Sequence, residues 1–260
     1  MSFQDLLLYL DSLAASDARI EAAVSLARRF GCSVTGVYAE FLPDPAEPIA
    51  GEARALATTV SERFTGAARR EGIVATWHTS DEGYPDGMEV LARHADLAIV
   101  GQTRPDFAAE FVSPEEIVLT SGHPTLVVPY AGTVATVGER HVLIAWNGGR
   151  EAARAVFDAM PFLHDARAVT VIGIDLDDAG RRSMDAVSAY LTRHGVRAIL
   201  EPATALDLSP GEVLLARAVD TASDLIVMGA YGHSRLREWV LGGVTRHVLD
   251  HMTVPALISH

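Results

Sequence analysis

The stretch TASDLIVMGAYG, residues 221–232, runs from a polar corner through an unbroken apolar run to two glycines. A run such as LIVM, with no polar alternation, marks a strand buried on both faces, as in a parallel sheet covered by helices. The pattern occurs a second time. HADLAIVGQTR (94–104) repeats it, with Asp96 and Gly101 in the places of Asp224 and Gly229. Further out, GHPTLVVPY (122–130) resembles MTVPALISH (252–260), each an apolar run after a proline. DLLLYLDSLAASDARIEAAVSLARRFG (5–31) parallels HVLIAWNGGREAARAVFDAMPFL (141–163) as strand, polar corner and helix. Two divergent copies of one unit account for these matches better than one continuous domain. The boundary falls in AGTVATVGER (131–140), giving domains over 1–132 and 139–260.

Periodicity predicts strands at 5–10, 33–38, 73–78, 96–101 and 125–129 in the first copy, with helices at 16–30, 52–71, 86–95 and 114–121. In the second copy it predicts strands at 141–146, 168–174, 197–201, 224–229 and 254–258, and helices at 150–161, 179–194, 209–221 and 242–251. The expected class is therefore α/β: two tandem five-stranded parallel-sheet sandwich domains of Rossmann-like type, with right-handed crossovers. Ligands in such sheets sit beyond the carboxyl ends of the strands, at the switch in strand order.

Composition narrows the function classes. The 260 residues are 49% hydrophobic and 21% charged, enough for a sizeable core, and the formal net charge is -13. Such a balance argues against a nucleic-acid or anionic membrane surface, which needs clustered Lys and Arg. A single cysteine, Cys32, excludes an intrachain disulfide and fits a buried small hydrophobe in a reducing, cytoplasmic setting. Residues 1–16 have no basic n-region and carry Asp5 and Asp11, so no secretory signal is expected there. No apolar run reaches the length of a membrane helix.

Gly229, Gly232 and Gly242 stand at G-x2-G-x9-G, from a strand end through a loop to a helix start. A helix N-terminus offers unpaired N–H groups to phosphate, and glycine removes the Cβ atoms that would hold an anion off. Thr245, one turn in, adds a hydroxyl. Between 229 and 250, Arg235, Arg237 and Arg246 outnumber Glu238 and Asp250, reversing the charge of the chain at large. Spacing alone is equally compatible with a flexible loop and no ligand. The local charge reversal and the strand-loop-helix setting favour a nucleotide or phosphate.

With these residues the chain resembles a tandem universal stress protein over essentially its whole length. That family's nucleotide motif is G-x2-G-x9-G followed by Ser, Thr or Asn, and GAYGHSRLREWVLGG matches it except that Gly243 replaces the hydroxyl or amide residue. The resemblance implies ATP or a related adenine nucleotide, with Mg2+, in the second domain. Gly229, Gly232, Gly242, Gly243, Val244 and Thr245 would contact phosphates and ribose, and Met228 would lie under the sugar or base. Ala145 and Gly173 would turn their backbone to the base. Asn147 stands where the family commonly has an Asp on the ribose or adenine; an amide still donates and accepts but carries no charge. His233, directly after Gly232, is either a phosphate contact or a solvated loop residue.

The first copy keeps Asp11 at its first strand end but has no glycine between Gly101 and Gly122. Its charges there are Arg104 against Asp106, Glu110, Glu115 and Glu116. It reads as a degenerate, structural partner without ATP. The resemblance further implies domain pairing within the chain, a homodimer of chains, and a role in stress response or signalling through an unidentified protein partner. The alternative is an interaction module without nucleotide. A slow ATPase ranks third, since no general base is evident and no catalytic residue is assigned. His247 and His251, four apart on one helix, read as a surface or interface pair rather than metal ligands, with no third ligand nearby. Trp146 and Trp239 read as core or rim packing before base stacking, and the proline-rich 40–52 as a loop, a candidate lid.

Overall fold

The computed structural model describes residues 2–12, 15–39, 50–79, 89–103, 113–131, 134, 136–230 and 243–260. The chain forms two compact units, 2–135 and 136–260. The first runs β1 (Asp5–Leu10), α1 (Ser16–Phe30), β2 (Ser33–Tyr38), α2 (Ala50–Arg70), β3 (Ala75–Thr79), α3 (Glu89–Ala92), β4 (Leu97–Gly101), α4 (Pro114–Thr120) and β5 (Thr125–Val128). Its strands lie in the order β3-β2-β1-β4-β5, all parallel. The second runs β6 (His141–Ala145), α5 (Arg150–Asp158), α6 (Met160–Asp165), β7 (Ala168–Ile174), α7 (Asp178–Arg193), β8 (Ile199–Ala203), α8 (Pro210–Asp220), β9 (Leu225–Gly229), α9 (Gly243–His251) and β10 (Ala256–Ser259). Its order is β8-β7-β6-β9-β10, again parallel. Each unit steps outward from its first strand, then returns to that strand's other side. The switch points lie between β1 and β4, and between β6 and β9.

The apolar runs form the sheet centres for the reason their composition suggests. Val142, Leu143 and Ile144 of β6, and Leu225, Ile226 and Val227 of β9, are all within 1% of complete burial. Edge strand β8 differs. Ile199 is exposed, and Pro202 is admitted because an edge strand needs no N–H on its outer side. That proline obscured the strand in the sequence, where 197–201 was expected instead of Ile199–Ala203.

The aspartates that revealed the repeat perform the same structural task twice. Asp224 is buried, and its carboxylate accepts from the N–H groups of Glu139, Arg140 and His141 at 3.0 Å and from Thr136 Oγ1 at 2.6 Å. It thereby fixes the lead into β6. Asp96 accepts from the N–H groups of Gln4 and Asp5 at the start of β1.

Two expected helices differ in extent. The segment 150–161 is not one helix but two, α5 and α6, divided at Ala159. Pro161 has no N–H to continue the ladder, and its ring crowds the preceding turn. The helix expected over 86–95 is described only as Glu89–Ala92, residues 86–88 lying outside the described set. No helix among the described residues is long and apolar enough to cross a membrane.

Cys32 is buried beneath the start of β2, and its thiol pKa is pushed up to about 11. Burial is the main cause; a backbone hydrogen bond opposes it, and the charges of Asp5 and Asp96 add to it. At pH 8 the thiolate population is then about 100-fold below that of a thiol at 9. Iodoacetamide is expected to leave the native protein unmodified over an hour at pH 8 and to label it fully in denaturant. The folded state holds this proton more tightly than the unfolded chain, so the associated stability is intact below pH 9 and lost between 9 and 11. Labelling of the native protein at the denatured rate would contradict this assignment.

Candidate functional site

Beyond β6 the chain runs Ala145, Trp146, Asn147, Gly148 and Gly149 into α5. Ala145 stands in register with Met228 on β9, and Gly229 with Ser259 on β10. The backbones of Ala145, Met228 and Gly229 therefore lie side by side at the switch point. Asn147 is exposed, and its Oδ1 accepts the Gly149 N–H at 2.9 Å. Its side-chain oxygen thus closes the turn, and its NH2 is what it can offer a ligand. Gly148 makes the turn possible at φ +77°, a backbone conformation that glycine adopts without penalty.

Trp146 is buried, and its Nε1–H donates to Ser183 Oγ on α7 at 2.8 Å. The indole is held in the core, as its apolar surroundings in the sequence imply. Gly173 lies one strand further out on β7. A Cβ there would sit 2.4 Å from Leu176 Cδ1 and 2.6 Å from Met184 Sδ. At Gly229 a Cβ would sit 2.4 Å from Ala152 N and from Glu151 C, both backbone atoms of α5. At Gly229 close backbone packing explains the glycine before any ligand is considered, whereas at Gly173 the opposing atoms are the ends of flexible side chains.

Gly243 is the opposite case. It opens α9, it is exposed, and among the described residues no atom beyond its own helix lies within 4 Å of where its Cβ would be. Val244 is 36% exposed and Thr245 is buried. The first N–H groups of a helix have no intrahelical acceptor and carry partial positive charge, so the start of α9 is a donor end. Gly232, His233 and Gly242 lie outside the described residues, as do Trp239 and most of the candidate lid at 40–52.

Glu151 is a neighbour that sequence reasoning did not single out. It is buried in the first turn of α5, against Gly229. Burial pushes its carboxyl pKa up, but the hydrogen bond from Arg150, the backbone donors at the helix start, and the charges of Arg150 and His260 outweigh that and hold it below the usual carboxylate range. An ionised carboxylate therefore borders the switch point. The signal was present in the sequence as an acid placed in the first turn of a helix, where the dipole favours it.

His247 and His251 stack with ring centroids 4.4 Å apart, His247 packs over Gly211 of α8, and His251 Nδ1 lies 2.9 Å from the His247 carbonyl oxygen. No group of three His, Cys, Asp or Glu side chains suited to a metal occurs among the described residues.

Residues 139–260 match the model of the Universal stress protein family. The second unit is a universal stress protein domain. Universal stress protein Slr1230 of Synechocystis sp. (strain ATCC 27184 / PCC 6803 / Kazusa) is 28% identical over 182 residues, covering 66% of this chain and 60% of its own length. The chain thus spans less than two thirds of that relative. Among solved structures, a universal stress protein from Archaeoglobus fulgidus DSM 4304 superposes with a TM-score of 0.74 at 15% identity, over 98% of this chain and 97% of its own. A candidate universal stress protein from Pseudomonas aeruginosa UCBPP-PA14 gives 0.64 at 14% identity, over 99% and 93%. At these identities the likeness concerns the fold, and it extends through both units. The first unit has the same strand order as the second.

Proposed function

We propose that the second unit binds ATP or a related adenine nucleotide, with Mg2+, at the β6–β9 switch point, and that occupancy governs a stress-response or signalling interaction with another protein. The observation that carries this reading is the start of α9. A helix donor end whose glycine has open space above it among the described residues follows the very strand, β9, that forms the switch point. Ala145, Asn147 and Met228 would receive base and sugar. Gly243, Val244 and Thr245, together with Gly229, Gly232, His233 and Gly242 on the sequence motif, would receive the phosphates. Pairing of the two units, a homodimer of chains and a cytoplasmic location belong to the same reading through the family resemblance. No hydrolytic residue is assigned.

The test is nucleotide content and thermal shift. Protein purified without added ATP is expected to carry adenine nucleotide, or to melt higher with ATP and magnesium; G232V and G242V should abolish the shift. Gly243→Ser restores a hydroxyl where the space is open, and is expected to tighten ATP binding roughly two- to tenfold, the worth of one net hydrogen bond. Absence of bound nucleotide together with no shift favours the second reading, an interaction module without nucleotide. That reading draws on Asn147, whose oxygen is already engaged by Gly149, and on the carboxylate of Glu151 beside Gly229.

A further inference from the structure

The first unit has its own switch point, and a side chain already occupies it. Arg19, in the first turn of α1, is 5% exposed. Its Nη1 donates to the Tyr9 carbonyl at 3.0 Å, and its Nη2 donates to Asp11 Oδ2 at 2.5 Å and Ser16 Oγ at 2.9 Å. A Cβ built on Gly101, the last residue of β4, would lie 3.2–3.3 Å from the guanidinium atoms Cζ, Nη1 and Nε. The guanidinium therefore fills the space between the carboxyl ends of β1 and β4.

The groups that receive it are a main-chain carbonyl, a carboxylate and a hydroxyl acting as acceptor. Acceptors converging in this way suit a planar cation with forked donors and disfavour an anion. In the second unit the residues against the corresponding glycine are Glu151 and Ala152 of α5, so the charge bordering that crevice is a carboxylate, ion-paired with Arg150, and not a cation. Arg19 Nε is without a hydrogen-bond partner among the described residues, so the fork is matched on two of its three nitrogens.

We propose that the first unit's switch point is a guanidinium site filled by the chain's own Arg19, whose acceptors suit a cation and not the phosphates of a nucleotide. The assignment does not depend on the nucleotide reading of the second unit. It predicts that the vacated site takes small guanidinium or amidinium cations.

The experiment uses the full chain carrying R19A, melted with and without 10 mM methylguanidinium chloride, with sodium and tetramethylammonium chloride as ionic-strength controls. R19A is expected to melt about 5 °C or more below the parent, because the buried guanidinium's bonds to Tyr9, Asp11 and Ser16 are all lost. Methylguanidinium should recover a third or more of that loss, the control salts none of it, and the D11N/R19A double variant should not respond. If R19A does not fold, R19K and R19Q take its place. Lysine, keeping the charge but not the fork, should melt between the parent and R19Q. An R19Q protein as stable as the parent, or an R19A protein that folds but ignores methylguanidinium, overturns the proposal. So does an R19A protein that ATP stabilises by more than it stabilises the parent, which would make the crevice a nucleotide site. Failure of the parent to respond to ATP bears only on the second unit.

Discussion

Gly229→Ala is expected to lower the melting temperature of the second unit by about 10 °C. The new Cβ would meet two backbone atoms, Ala152 N and Glu151 C, each at 2.4 Å. A flexible side chain could turn aside, but backbone in the first turn of a helix can yield only if α5 lifts from the sheet. That helix buries Ala152, Ala155 and Val156, so lifting it costs packing along its length. Overpacking commonly costs 1–3 kcal/mol, and with backbone on the opposing side about 3 kcal/mol is the appropriate figure. Spread over the unfolding entropy of a unit of this size, it yields the stated shift. Gly243→Ala is the control. Its Cβ enters open space, and alanine is the better helix former, so the melting temperature should hold or rise slightly. Thermal denaturation followed by circular dichroism compares the pair. A Gly229→Ala protein melting within 2 °C of the parent would show that α5 does not lie where it has been placed.

Asp224→Ala is expected to cost about 3–5 kcal/mol. One carboxylate satisfies three backbone N–H groups and a hydroxyl. Its removal strands these donors at a partly buried strand entry, where each unsatisfied group costs about 1–3 kcal/mol before water relieves part of it. Asp224→Asn keeps one acceptor oxygen and should cost roughly half as much. In the first unit, Asp96 serves two N–H groups at an exposed position, so Asp96→Ala should cost less than Asp224→Ala. Urea unfolding of the three variants gives the order directly. Equal losses at Asp96 and Asp224 would remove the argument from donor number.

The elements carrying strong periodicity were legible in the sequence: β1, β2, α1 and β7 begin and end at the residues expected. The departures are local and physical. Pro161 breaks a helix whose apolar spacing continues across it, and Pro202 sits in an edge strand that alternation alone places two residues early. At the candidate site, the motif identified the strand end and the helix start. It could not separate a glycine required by packing, Gly229, from one with nothing above it among the described residues, Gly243, because the atoms that pack on Gly229 come from α5, far off in sequence. Arg19 was hidden for the same reason. In sequence it is one more charge on an amphipathic helix, and only the fold brings it against Gly101.

The aspartate clamps also bear on the order in which the chain can fold. The contacts that hold the entry to β6 come from Asp224, 83 residues beyond His141, and those at the entry to β1 from Asp96, 91 residues beyond Asp5. The central strand of each unit is made first and secured late. Its final neighbour arrives only after three further strand-helix steps have been synthesised, and such long-range pairing is slow to form. On the ribosome, each unit is therefore expected to remain incomplete until its fourth strand has emerged, and the first to close while the second is still being translated.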